Sequence, residues 1–313
     1  MERSRFLKTL LLALAPLKLM SLATIDALIE VKGNFKRVYS DHVLQSEFYK
    51  FIQNIFHLYP TDKMDALIRE VTESHTSDEA IFIEAQSRLS SIEPWFPTLS
   101  YQLPALFKQK EEMARQTVEL LGKGSAHNGY LEIGSSGRYL DYLEEECSIS
   151  GERYYADGKE PGHAISEMVD RGQITIGAEY IPFADHRTKY ADLIPNESLG
   201  LVTNYIGFHH CPLDLRVPFI SSIRDTLRVG GKLVLRDHDC HNEDQMTLVA
   251  LAHDVFNMGT NESWDYNRSE VRNFYTLAFI IEFVEGIGFE FNGKTLFQDG
   301  DPTKNALMLF TKI

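Results

Sequence analysis

From residue 126 onward, short apolar runs alternate with amphipathic stretches, and most of the runs end in glycine, acid or histidine. Tyr130-Leu131-Glu132-Ile133 leads into Gly134-Ser135-Ser136-Gly137, and Arg153-Tyr154-Tyr155-Ala156 ends at Asp157. Ile174-Thr175-Ile176 precedes Gly177-Ala178-Glu179. Leu199 to Thr203 precedes Asn204 to His210, and Lys232 to Arg236 precedes Asp237-His238-Asp239. Between them, Tyr139 to Cys147, Ala164 to Val169 and Phe219 to Leu227 carry helical spacing. This alternation predicts an α/β fold: a Rossmann-like, doubly wound, mainly parallel sheet covered on both faces. In such sheets ligands bind beyond the carboxyl ends of the strands. The residues just named are therefore the candidates for a site.

Each has a physical use. A glycine turn after the first strand lets backbone approach a ligand, and the following helix offers free N–H groups. A carboxylate after the second strand can accept two hydrogen bonds from a ribose. Asp157 stands 25 positions after Glu132, near the roughly 20-residue offset of nucleotide-binding folds.

Taken in order, Gly129 to Gly134, Asp157, Gly177 to Phe183, Leu201 to His210 and Leu227 to Leu235 resemble class I S-adenosylmethionine-dependent methyltransferases. The subgroup they resemble most is the ubiquinone/menaquinone-biosynthesis type (methyltransferase domain 11-like). The resemblance covers about residues 126–239, and its tail extends to 313. Ile280 to Gly286 reads as a helix, and Phe289-Glu290-Phe291 with Ala306 to Phe310 resembles the family's antiparallel edge pair. The resemblance implies S-adenosylmethionine as cofactor and a small-molecule acceptor. It implies that Glu132, Gly134, Ser135 and Gly137 hold the methionine part, that Asp157 binds the ribose, that Ala178 and Glu179 flank the adenine, and that Asn204 and Tyr205 touch the cofactor. Ser136 departs from the pattern, because glycine is common there.

His209, His210, His238, His241 and His253 gather around the fourth and fifth strands. Imidazole titrates near neutral pH, so His210 and His238 are candidates for general base or acceptor orientation, with Asp237 or Asp239 orienting His238. The catalytic set is then His210, His238 and Asp239. Paired histidines after the fourth strand are common in the resembled subgroup, so no metal is expected. The alternatives are a metal-dependent enzyme using His238, His241 and His253, and a non-catalytic ligand-binding protein on a degraded methyltransferase fold.

Residues 24–125 carry only helical spacing. Leu44, Phe48, Phe51 and Ile52 form one stripe, and Met64, Leu67, Ile68 and Val71 a second. Thr76-Ser77-Asp78-Glu79 is a capping box, and a last helix is expected from Leu103 to Leu121. This reads as a helical cap or lid domain before the methyltransferase-like domain of 126–313. Tyr59, Trp95, Phe96 and Tyr101 are available to line a pocket. Residues 240–276 exceed a minimal connection and read as a lid-like insertion, with a helical stripe at Leu248, Leu251, Val255 and Phe256 and a polar loop at Trp264 to Tyr266.

Residues 1–23 open with Arg3, Arg5 and Lys8 before an apolar run, Leu10 to Leu17, with Ser21 and Ala23 at cleavage spacing. Both a signal-like leader and an amphipathic helix, docked or weakly membrane-associated, suit this segment; the fold favours a cytoplasmic location. The net charge of −14 argues against a nucleic-acid partner, which needs clustered Lys and Arg. Three scattered cysteines supply no disulfide framework.

Overall fold

The computed structural model describes residues 33–93, 103–135, 137–160, 162 and 177–313. The expected leader over 1–23, Pro94 to Pro97 with Trp95 and Phe96, Tyr101, Ser136, the helix at 164–169 and the strand at 174–176 all lie outside these residues.

Four helices come first: α1 (Asn34–Ser40), α2 (His42–Phe51), α3 (Thr61–Ser74) and α4 (Asp78–Ile92). Asp41 caps α2 by accepting from the Val43 and Leu44 amides, and Ser77 caps α4 by accepting from Ala80 N. The chain leaves α2 through a π-helical turn, Ile52–Phe56. Helix α5 (Leu103–Leu121) then leads into the alternating part.

That part runs β1 (Ala126–Ile133), α6 (Leu140–Glu146), β2 (Ser148–Asp157), β3 (Glu179–Pro182), β4 (Leu199–Asn204), α7 (Arg216–Thr226) and β5 (Leu227–His238). It continues with α8 (Glu243–Gly259), α9 (Trp264–Ser269), α10 (Leu277–Glu285), β6 (Phe289–Phe297) and β7 (Asn305–Lys312). The strands form one sheet in the order β3-β2-β1-β4-β5-β7-β6. β3, β2, β1, β4 and β5 pair in parallel, and β7 runs antiparallel between β5 and β6. The α/β class and the antiparallel edge both match the sequence reading.

Both sheet faces are covered. Leu131, Ile133, Val202, Leu233 and Leu235 pack with Phe219, Ile220 and Ile223 of α7 and Ile280 and Val284 of α10. On the other face, Tyr130, Leu201, Val234 and Leu309 pack with Met113 and Val118 of α5 and Leu140 and Leu143 of α6. Parallel strands buried on both faces are expected to read as near-continuous apolar runs, which is why these strands stand out in the sequence.

A third core joins distant segments. Phe35, Phe48, Phe56, Met64, Ile68, Phe82 and Leu89 pack directly on Leu248, Leu251, Ala252, Val255 and Met258 of α8. Polar contacts reinforce this joint: Asn34 Nδ2 donates to Asp254 Oδ2 (2.9 Å), and Gln86 Nε2 donates to the Glu262 carbonyl (2.7 Å). The stretch read as a polar loop is helix α9. Its cap is Ser263 Oγ, which accepts from Tyr266 N, and Trp264 stacks obliquely on Phe82 with ring centroids 5.4 Å apart. Among the described residues, no helix is long and apolar enough to cross a membrane.

Candidate functional site

Strand register decides what meets at the sheet edge. Ile133 lies opposite Ala156 of β2 and Asn204 of β4, Asn204 lies opposite Leu235 of β5, and Asp157 lies opposite Pro182 of β3. The residues that follow, Gly134, Asp157, Tyr205 and Arg236, therefore stand along one edge. All four line a cavity of about 1910 Å³, together with Arg138, His209, His210, Asp237, His238, His253 and Glu270. Single-ligand pockets usually hold about 300–1,000 Å³, so this cavity has room for two ligands.

The glycine loop is held from below by Glu132. Its carboxylate is buried and accepts from Tyr130 Oη (3.0 Å), Ser135 Oγ and Tyr139 N (3.4 Å). Burial pushes this acid up to about 7, against the pull of the Tyr130 and Tyr139 hydrogen bonds and the Arg138 charge. Glu132 and Ser135 thus shape the loop and do not line the cavity. Gly137 has φ +72° and Gly134 φ +80°.

At Gly134 a Cβ would also stand 2.5 Å from Ile206 Cβ. Gly293 has φ +79° with nothing within 4 Å of such a Cβ, which makes it the matched control. Either alanine incurs left-handed strain of about 1–2 kcal/mol. Only Gly134→Ala adds the collision, so it is expected to lose at least about 1 kcal/mol more than Gly293→Ala in urea unfolding. Equal losses would mean that Ile206 yields freely.

Of the remaining candidates for cofactor contact, Asp157 and Tyr205 are brought to the cavity. Ala178 and Glu179 are not. Glu179 opens β3, and it pairs with Tyr154, three positions back from the edge where Asp157 meets Pro182. Asn204 ends β4 but is fully buried, and neither atom of its amide has a partner. Arg138, which follows Gly137 and carries no signal in the sequence, lines the cavity, and its Nε is buried without a partner.

The histidines are set by the turn Phe208–His210 after β4. Gly207 makes this turn possible: a Cβ there would lie 2.1 Å from His209 Cε1, so the ring folds directly over the backbone. His209 Nδ1 is 2.8 Å from Asp237 Oδ1, and its own backbone N–H donates to Asp237 Oδ2 (2.8 Å). His210 Nδ1 donates to the Val271 carbonyl (3.0 Å), His253 Nδ1 to the Val249 carbonyl (2.8 Å), and His238 Nδ1 to the Thr303 carbonyl (2.8 Å). Thr303, and not Asp237 or Asp239, therefore orients the His238 ring.

Burial lowers every one of these imidazoles. His209 and His253 are pushed well below the ordinary value, His238 is pushed down to about 4, and His210 is lowered with Glu270 opposing. Burial also raises Asp237 to about 6, against the pull of the His238 ring and the backbone donors.

Asp239 turns away from the cavity. It accepts from Leu277 N (3.0 Å), fixing the start of α10, and meets His241 Nε2 at 2.8 Å. His241 is mostly exposed and does not join His238 and His253. The trio whose ring nitrogens converge, all within 4.8 Å of one another, is His209, His210 and His253.

No protein-family model matches this chain, and no curated protein matches it. Solved structures do match in part. The 1,6-didemethyltoxoflavin-N1-methyltransferase of Burkholderia thailandensis, bound to 1,6-didemethyltoxoflavin and S-adenosylhomocysteine, is 12% identical, with a TM-score of 0.41, over 66% of this chain and 78% of that one. A SAM-dependent methyltransferase from Aquifex aeolicus is 12% identical, with a TM-score of 0.43, over 73% of this chain and 98% of that one. One from Archaeoglobus fulgidus is 11% identical, with a TM-score of 0.43, over 66% and 94%.

Proposed function

We propose that this chain transfers a methyl group from S-adenosylmethionine to a small-molecule acceptor. The observation that carries the reading is that Gly134, Arg138, Asp157 and Tyr205 line the same cavity as His210 and His238, and that this cavity exceeds one ligand. The residues present fit the cofactor. Arg138 offers a buried, unused Nε–H, which suits the carboxylate of the methionine part. Asp157 stands beyond β2 as an acceptor for the ribose hydroxyls. Gly134 lets backbone come close to the ligand.

When bound, the sulfonium supplies an activated methyl with its own leaving group. The chain's part is to bring the acceptor into line. With Nδ1 committed to Thr303, the Nε2 of His238 is an acceptor, and its lowered pKa keeps it uncharged at neutral pH. It holds the acceptor's O–H or N–H and turns the nucleophilic atom toward the methyl. His210 stands on the same cavity wall, and Asp239 contributes only by anchoring α10. A cytoplasmic location suits this reading, because the cofactor is supplied there.

Calorimetric titration of S-adenosylmethionine into the full chain tests the proposal. We expect micromolar binding, weakened about 10- to 100-fold in Asp157→Ala, because hydrogen bonds to a charged acceptor are worth about 1.5–3 kcal/mol. No binding by folded wild-type protein would sink the reading and leave the cavity to another ligand.

A further inference from the structure

The three converging histidines pose a problem of proton bookkeeping. Val271 O and Val249 O can only accept, so the rings of His210 and His253 carry their protons on Nδ1. Asp237 accepts backbone N–H groups on both oxygens, from His209 on Oδ2 and from His238 on Oδ1, and it faces His209 Nδ1 as an acceptor there too. His209 and His253 therefore turn bare Nε2 lone pairs toward each other, and the His210 ring beside them also keeps a bare Nε2. His209 Nε2 and His253 Nε2 are 3.0 Å apart. Two lone pairs facing each other at that distance repel unless a cation lies between or beside them.

A metal ion resolves this. Metal–imidazole bonds of about 2.0–2.1 Å place two ligand nitrogens of one ion roughly 3.0–3.4 Å apart. The wider spread of the trio, up to 4.8 Å, closes to that range with a shift of roughly 1–1.5 Å in His210, whose ring is the partly exposed one on a flexible side chain. The surroundings fit as well. Each ring donates its other N–H to a carbonyl or carboxylate, the arrangement that fixes tautomer and orientation around metal-bound histidine. Glu270, 3.7 Å from His210, and Asp237 supply negative charge beside three neutral ligands.

We propose that His209, His210 and His253 bind a divalent first-row transition ion of the zinc class through their Nε2 atoms, with a remaining coordination position open to the cavity. Three imidazoles suit zinc, iron, nickel or copper better than magnesium or calcium, which prefer oxygen. Three neutral ligands place no negative charge on the ion directly, so the open position favours an anionic oxygen or sulfur. On the methyl-transfer reading, that position is where an ionised acceptor would sit. The trio replaces the His238, His241 and His253 set suggested by sequence spacing, because His241 is drawn off to Asp239.

The full chain, stripped with a chelator, is titrated with Zn²⁺ by calorimetry and with Co²⁺ by visible absorption. One equivalent of Zn²⁺ with a submicromolar Kd is expected, along with the intense visible bands of low-coordinate Co²⁺. His210→Gln and His253→Gln are each expected to weaken binding at least about 100-fold, whereas His241→Gln leaves it unchanged. If His253→Gln does not fold, His210→Gln, at the rim of the cluster, still decides. No saturable binding by folded wild-type protein, or binding that survives both substitutions, overturns the proposal. The titration contains no S-adenosylmethionine, so its failure leaves the methyl-transfer reading standing, and the reverse holds too.

Discussion

Arg272→Ala is expected to cost about 3–5 kcal/mol of stability, because it strands a buried carboxylate. Asp254 is 4% exposed and Arg272 13%. Arg272 donates to Asp254 Oδ1 (2.7 Å), Glu270 Oε2 (2.9 Å), Asn267 Oδ1 (2.7 Å) and the Ala250 carbonyl (3.3 Å). One guanidinium thus ties α8, α9 and the following segment together. Val271, next in sequence, holds the His210 ring, and Asn273 N donates to the His209 carbonyl (2.8 Å). Arg272→Lys keeps the charge but cannot span acceptors set in a planar fork, so an intermediate loss is expected. The check is the urea midpoint of wild type and both variants. Coincident transitions for wild type and Arg272→Ala would show that the cluster contributes no net stability.

Replacing Glu132 by Gln is expected to change how stability depends on pH. Burial raises this acid from 4.5 to about 7 in the folded chain, so the folded state binds the proton more tightly than the unfolded one. The resulting stabilisation is fully present below about pH 4.5 and is lost as pH rises through 7. The size of the loss is about 3 kcal/mol. Gln has the acid's shape and no proton to lose. The Tyr130 hydroxyl, which also meets Thr203 Oγ1 at 2.9 Å, can rotate to accept from the new amide. Unfolding free energies should therefore be similar at pH 5, and Glu132→Gln should be the more stable protein at pH 8. Parallel curves for the two proteins from pH 5 to 8 would contradict the raised pKa.

The parts of the fold legible in the sequence are those whose signal is local. β1, β4 and β5 carry apolar runs because both sheet faces bury them, and α4 begins at the capping serine read from Thr76 to Glu79. β3 was not legible. A four-residue edge strand has too few positions to show a period, so nothing in the sequence marks Glu179 as the start of β3. The place of Asp157 at the cavity edge is legible because an acid at a strand end is visible in sequence. Arg138 is not legible, because an arginine after a glycine loop carries no signal until its Nε is seen buried and without a partner. The histidine trio shows the same limit. Spacing groups His253 with His238 and His241, whereas the structure groups it with His209 and His210, which stand 44 and 43 positions before it in the chain.

The joint between the first four helices and α8 bears on how the chain reaches its folded form. Residues 34–92 leave the ribosome about 150 residues ahead of α8, yet they share their core with it. Until α8 arrives, Phe48, Met64, Ile68 and Phe82 can pack only against one another and their neighbours in residues 34–92. Closing that loop costs conformational entropy that no earlier contact offsets. The joint between these helices and α8 is therefore a late event in synthesis. The helical face left waiting needs shielding while translation continues.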